Sequence, residues 1–386
     1  MTGLIVDSTE HAALRESVGR IARRYGHAYF ADRAREGGHV GELWDELGRG
    51  GFLGVHLPEE YGGGGGGLAD YQVVLEELAA HGMPLLMGVI SPAITGSIVW
   101  KHGSPGMKAE WLPGMADGSR KMVFALTEPD AGSNSHKVST TAHPDGDGRR
   151  LTGTKYYISG VDEAEAVLVV ARDGDPDPSG RTPLSLFVVP TNAPGVTRQA
   201  IPTELTVPEK QFTLFFDDVR VGPETIVGEA GRGLRQVFAG LNPERILAAA
   251  LSNGIGRYAL DKAAAYARER TVWNAPIGSH QGVSHPLAEA YVAVELARLA
   301  AARAAELYDS GQDAAETANI AKFAAADASL KALDQSIQTH GGNGLSREYG
   351  LADLWFVARL LRTAPVSREM VLNFIAQHSL RLPASY

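Results

Sequence analysis

The hydrophobic pattern of this chain changes period twice, and few folds accept that order. From Glu10 to Arg24, Leu14, Val18, Ile21 and Ala22 recur at helical spacing, and Glu42 to Leu47 continues in the same style. From Leu68 onward Val73, Val74, Leu78 and Ala79 share one helical face. Between about Val123 and Val221 the pattern becomes that of strands. The apolar runs Ala166 to Ala171 and Leu184 to Val189, separated by the turn-rich Asp173 to Pro183, predict a long hairpin. Phe212, Leu214 and Phe216 alternate with solvent-side positions, and Val219 and Val221 resume the alternation after an Asp pair. Beyond Gly233, alanine-rich amphipathic segments predict helices over Ile246 to Arg270, Pro286 to Tyr308, Glu316 to Gly341 and Leu351 to Leu360. Ser367 to Leu380 closes this antiparallel bundle. Helices, then strands, then helices indicate an α+β protein with segregated domains and argue against a doubly wound sheet. The boundaries fall at 1–122, 123–230 and 231–386.

One segment interrupts the helical first third. Tyr61 is followed by six consecutive glycines, Gly62 to Gly67, which predict a flexible loop because glycine loses the most backbone entropy on ordering. The chain has no cysteine, which excludes disulfides, thiolate nucleophiles and cysteine-ligated metals. With 36 basic and 45 acidic residues its formal net charge is -9, which works against nucleic acid and anionic membrane surfaces as partners. No apolar run of about 18 residues suggests membrane insertion. The segment Met1 to Arg20 carries Asp7, Glu10, Arg15 and Glu16 and lacks the pattern of a secretory signal, so the expected location is cytoplasmic.

Common catalytic motifs are missing: no dinucleotide-binding glycine fingerprint, phosphate loop, paired helical histidines or Gly-x-Ser-x-Gly elbow occurs. No metal site is expected. What stands out is Phe124-Ala125-Leu126-Thr127-Glu128-Pro129-Asp130-Ala131-Gly132-Ser133-Asn134, a strand running into a Pro/Gly loop with small hydroxyls. Such a loop can offer backbone N–H groups and hydroxyls to a carbonyl or phosphate oxygen.

The segment resembles the flavin-binding signature of the acyl-CoA dehydrogenase family. Further family-like segments follow in order: Lys155 to Gly160, Gly228 to Gly233, Pro243 to Ile246, Glu269-Arg270 before Pro276-Ile277, Gln281, and Gln338 to Gly344. Leu57 to Gly63 resembles the family's first domain. The resemblance implies an N-terminal helical domain, a central β-barrel-like domain and a C-terminal four-helix bundle, with FAD between them. By it, Phe124, Leu126, Thr127, Gly132 and Ser133 line the flavin, and Tyr157, Ile158 and Ser159 contact its ring, where a hydroxyl could polarise the atom that receives hydride. Tyr157 and Ser159 stand where the family often has Trp and Thr. Arg270, Gln281, Gln338, Gly341 and Gly342 would hold the pyrophosphate of a neighbouring subunit's FAD, and Val366 and Arg368 would also contact cofactor. Read as helix grammar alone, Arg270 is a cation at a helix C-terminus.

Most relatives carry a catalytic glutamate just before the last helix, where this chain has Ala364. A subset resembling isovaleryl- and long-chain acyl-CoA dehydrogenases instead has it directly before a bundle arginine, which matches Glu244-Arg245. The resemblance thus implies Glu244 as the base, with Glu369 a weaker candidate. Asn242-Pro243-Glu244 also reads as an N-cap, a first-turn proline and an early-turn acid. Ser133, Asn242, Arg245 and Ala364 are the expected substrate-binding residues, Ala364 through its backbone N–H. The implied reaction is α,β-dehydrogenation of an acyl-CoA to a trans-2-enoyl-CoA. The implied partners are an electron-transfer flavoprotein and further copies of the chain, as a dimer of dimers. An acyl group on a carrier protein, transfer of electrons to oxygen, and a non-catalytic subunit of a hetero-oligomer remain alternatives.

Overall fold

The computed structural model describes residues 4–5, 7–176, 178 and 182–384. Helices come first. Helix α1 (Thr9–Arg35) starts at Ser8, whose Oγ accepts from His11 N–H, and breaks at Gly26, where φ is 71°. It is followed by α2 (Gly41–Arg49), α3 (Leu68–Ala80), the single turn α4 (Leu86–Gly88), α5 (Gly96–His102) and α6 (Pro105–Asp117). Between α4 and α5 the chain widens into a π-helical turn, Val89–Thr95.

The glycine run is not a flexible loop. It is packed against its own domain: a Cβ on Gly63 would lie 2.2 Å from Leu57 O, and one on Gly66 would lie 2.6 Å from the Asp70 carboxylate. Its amides are bonded in series, Gly63 to Pro58 O, Gly64 to Gly54 O, Gly65 to Leu57 O and Gly66 to Val55 O. Glycine is needed here for close backbone approach, so the entropy lost is offset by bonds that no larger residue could make.

The middle of the chain forms a curled seven-stranded sheet: β1 (Met122–Ala125), β2 (Thr141–Asp145), β3 (Gly148–Ser159), β4 (Ala166–Asp173), β5 (Leu184–Pro190), β6 (Val196–Ile201) and β7 (Gln211–Val221). The order is β1-β4-β2-β3-β7-β6, with β5 also on β4. β4 and β5 form the expected antiparallel hairpin, Ala166 opposite Pro190 through Arg172 opposite Leu184, although residues 177 and 179–181 of its turn lie outside the described set. On β7 the phase change between Phe216 and Val219 is a bulge at the Asp pair: three steps there match two on β3, and Asp218 has φ 54°.

Three long helices follow, α7 (Gly233–Glu269), α8 (Gln281–Asp309) and α9 (Ala315–His340), with a small hairpin of β8 (Thr271–Val272) and β9 (Ala275–Pro276) after α7. Helices α10 (Trp355–Thr363) and α11 (Arg368–Phe374) pack against α9. Leu247, Leu251 and Ile255 of α7 are fully buried; each such side chain stabilises by ~1.5–3 kcal/mol. Helix α3 packs so closely on α7 that a Cβ on Gly254 would sit 2.4 Å from Ala79 Cβ.

The π-helical turn joins the sheet to the bundle. Ser91 Oγ accepts from Met122 N–H at 3.0 Å and Thr95 Oγ1 donates to Met122 O at 3.2 Å, which fixes β1. Ile94 of the same turn lies against Gly240 of α7. One short element therefore sets the strand that enters the Thr127 loop against the helix that carries Glu244.

Candidate active site

The loop after β1 and the end of β3 are locked together. Tyr156 N–H donates to Thr127 O at 2.9 Å, and Lys155 Nζ donates to Leu126 O at 3.1 Å and Glu128 Oε1 at 2.8 Å. Glu128 also accepts from the backbone and hydroxyl of Ser139 and of Thr140 at 2.5–2.9 Å. Burial alone would raise the Glu128 carboxyl, but the Lys155 charge and these hydrogen bonds hold it at about 2. The ion pair is thus a peg for the two segments. It leaves Gly132 and Ser133 exposed beyond it, with nothing within 4 Å of a Cβ placed on Gly132.

Past Lys155, β3 gains a residue relative to β7, and this bulge turns Tyr157 outward, 54% exposed and at φ 56°. A bulky residue at positive φ is strained, and a bulge re-aims side chains. The Tyr156 and Tyr157 rings meet edge-on at 4.4 Å between centroids. Phe124, Leu126 and Thr127 are half-buried beside this bulge, whereas Ile158 is buried in the sheet.

Ser159 has a partner inside the sheet. Its Oγ donates to Gln211 Oε1 at 2.8 Å, and Gln211 Nε2 is itself committed to Glu209 O at 3.2 Å. In this arrangement Gln211 engages the Ser159 hydroxyl proton. Gln211 carries no sequence signal beyond a polar residue at the start of an apolar strand.

Asn242, Pro243 and Glu244 lie well inside α7, which starts at Gly233, so the reading of Asn242 as an N-cap is wrong. At this depth a carboxylate gains little from the helix dipole, whose effect fades after the first turn. Pro243 cannot donate to Ala239 O, and Tyr308 OH does so from α8 at 3.3 Å, with Lys101 Nζ on the same hydroxyl at 2.7 Å. This cross-link lets a proline sit in the helix one residue before Glu244.

Glu244 is half-buried and makes no hydrogen bond or ion pair with any described residue. Surrounding protein pushes its carboxyl up to about 7, only partly opposed by the charges of Arg245 and Lys322. Arg245 Nη1 donates to Asn242 Oδ1 at 3.0 Å, while its Nε is buried without a partner among the described residues. Glu209 is also raised to about 7 by burial, yet it is 1% exposed and accepts from Met87 N–H at 2.8 Å. A raised pKa alone does not mark a base; Glu244 combines it with access. The competing Glu369 is exposed in the first turn of α11.

The Arg362–Arg368 loop is held from α9. Lys322 Nζ donates to Arg362 O at 3.1 Å and Val366 O at 2.5 Å, and Asp327 pairs with Arg362 Nε at 2.8 Å and Arg368 Nε at 3.1 Å. The Arg368 guanidinium also lies over the Phe323 ring. Ala364 N–H donates to Leu360 O at 2.8 Å, closing α10. The expected donation of that N–H to a substrate carbonyl would require this bond to be given up.

Arg270, Gln281, Gln338, Gly341 and Gly342 form a separate, exposed group at one end of the bundle. Arg270 caps α7, Gln281 opens α8 and Gln338 ends α9, and the α7 and α9 ends meet through Tyr266 stacked on His340 at 4.3 Å. Twenty-six residues of helix place Arg270 ~39 Å from Glu244. Among the described residues no group of His, Asp or Glu side chains could hold a metal ion, and no helix is long and apolar enough to cross a membrane.

Sequence profiles of the acyl-CoA dehydrogenase N-terminal, middle and C-terminal domains match residues 8–119, 123–219 and 231–380. Acyl-CoA dehydrogenase FadE12 of Mycobacterium tuberculosis is 54% identical over 383 residues, covering 99% of this chain and 98% of that protein. The mouse mitochondrial short-chain specific acyl-CoA dehydrogenase is 33% identical, covering 87% and 82%. Among solved structures, a glutaryl-coenzyme A dehydrogenase with glutaryl-CoA superposes with TM-score 0.93 at 29% identity, covering 98% and 97%. A Mycobacterium smegmatis glutaryl-CoA dehydrogenase in complex with FADH2 does so with TM-score 0.92 at 25% identity, covering 98% and 97%. The three domains in order, with relatives that match over nearly the whole length, place the chain in the acyl-CoA dehydrogenase family, oxidoreductases that act on CH–CH groups.

Proposed function

We propose that the chain is an FAD-dependent acyl-CoA dehydrogenase in which Glu244 removes the α-proton of the acyl thioester. The observation that carries this reading is the carboxylate itself: half-buried, free of hydrogen bonds among the described residues, and raised to about 7. A glutamate of ordinary pKa is too weak a base for an α-proton. One poised near neutrality is stronger yet still substantially ionised at working pH.

The residues around the β3 bulge fit a flavin. Tyr157 offers an exposed aromatic face, Thr127, Ser133 and Ser159 offer hydroxyl oxygens, and Gly132 leaves its backbone open to close approach. Held there, FAD would supply the acceptor for the β-hydrogen as it leaves as hydride, and the organic product is a trans-2-enoyl thioester. The Glu128–Lys155 peg orients both flavin segments. Arg245, steadied by Asn242 and with an unpartnered Nε, is a fixed donor for an oxygen of the thioester.

In this reading the three units are 1–122, 123–230 and 231–386. The Arg270 group, too far along α7 to serve the same flavin as Glu244, contacts the cofactor of a second copy. The assembly is then a dimer of dimers, and the electrons pass on to an electron-transfer flavoprotein. Octanoyl-CoA and isovaleryl-CoA probe straight and branched substrates. Glu244→Gln should keep its bound flavin and bind acyl-CoA, yet bleach about 10³-fold more slowly under anaerobic conditions. Bleaching at the wild-type rate would sink the assignment.

A further inference from the structure

Lys322 lies in the apolar stripe of α9, between the buried Ala318 and Ala325, and is 1% exposed. A buried ammonium is costly unless its protons are taken. Two are taken by Arg362 O and Val366 O, and Asp327 on the same helix binds the Arg362 and Arg368 guanidinium groups. The loop around Ala364 is thereby gripped at both ends, by its backbone and by its side chains. The same ammonium is one of the two positive charges that bear on Glu244, the other being Arg245. Asp327, Glu369, Glu244 and Arg245 bear on Lys322 in return, and burial brings its amine down to about 8.

We propose that Lys322 is a positioning residue for the reaction: through its bonds to Arg362 O and Val366 O it pins the Ala364 loop to α9, and from there its charge acts on the Glu244 carboxylate. The inference rests on Glu244 being the base. Loss of the charge removes one of the two interactions that favour the ionised carboxylate, so the base would be ionised only at higher pH. Loss of the donors frees two carbonyls of the loop.

The test uses the full-length flavoprotein with octanoyl-CoA as probe. Lys322→Met should shift the midpoint of the pH–bleaching profile upward by roughly half a unit or more. It should also speed amide hydrogen exchange in Thr363 to Ser367 about tenfold. Lys322→Arg, which keeps the charge, should restore most of the midpoint. Lys322→Gln, which keeps hydrogen-bond donors without charge, should shift the midpoint with less effect on exchange, and serves if the methionine variant does not fold. An unchanged midpoint and unchanged exchange in these variants, with Glu244→Gln inactive, would overturn this inference alone. If Glu244→Gln bleaches normally, the base assignment fails, while loop exchange in Lys322→Met still reports on the clamp.

Discussion

In its C-terminal half α7 meets Glu76, in its N-terminal half it carries Glu244, and protein surrounds the two carboxylates in opposite ways. Glu76 accepts from Arg298 Nε at 2.9 Å, Arg257 Nη1 at 2.9 Å and Arg15 Nη1 at 3.4 Å. Burial would raise its carboxyl, but these guanidinium groups outweigh burial and hold it below the ordinary value. The arginines come from α8, α7 and α1, and Glu76 from α3, so this cluster joins the first domain to the bundle. Glu244 has no such partners among the described residues and its carboxyl moves the other way. A carboxylate whose lone pairs are taken is part of the architecture. One left open on α7 can accept a proton.

The largest effect that would break the contrast is on stability. Glu76→Gln removes the carboxylate that three arginines share, leaving them Asp7, Glu77 and Glu295, and should cost about 3 kcal/mol in urea unfolding, the scale for breaking a buried pair. No change would mean that the cluster does not join the domains. Glu244→Gln should act in the opposite sense and depend on pH. Its folded pKa of about 7 lies above the ordinary 4.5, so the native state holds its proton longer and loses stability as pH rises through that window. Removing the carboxylate should therefore leave stability nearly unchanged near pH 4 and raise it by about 2 kcal/mol at pH 8, below the full conversion of ~3.4 kcal/mol at 1.36 kcal/mol per unit because the half-buried carboxylate keeps part of its solvent screening. Thermal unfolding at the two pH values checks this. Equal effects at both would mean that Glu244 is not strained by burial.

The domain order was legible in the sequence because periodicity reports directly on which faces are buried, and the β7 alternation even survived its phase change at Asp217-Asp218. Local grammar misled where tertiary contacts override it. Asn242-Pro243 has the composition of a helix start, yet α7 runs through it because Tyr308, from another helix, satisfies the carbonyl that proline leaves free. The glycine run reads as flexible, since sequence does not reveal that Leu57 O and Val55 O lie where side chains would stand. For the proposed site, motif order points to Glu244 and the flavin segments, whereas Gln211, Asp327 and Lys322 belong to no motif. Lys322 had one signal, a lysine in the apolar stripe of an alanine-rich helix. Its partners are backbone carbonyls 40 and 44 residues away, which no residue type announces.

If Glu244 is the base, poised by having no hydrogen-bond partner among the described residues, its ionisation should set the rate of proton removal. The most direct test is the rate of anaerobic flavin bleaching by octanoyl-CoA or isovaleryl-CoA, followed from pH 5.5 to 8.5 in the wild type and in Glu244→Gln. The predicted result is a wild-type rate that rises with a midpoint near 7, and a variant about 10³-fold slower with no such rise. A wild-type profile that is flat over this range, or the same midpoint retained in the variant, would contradict it.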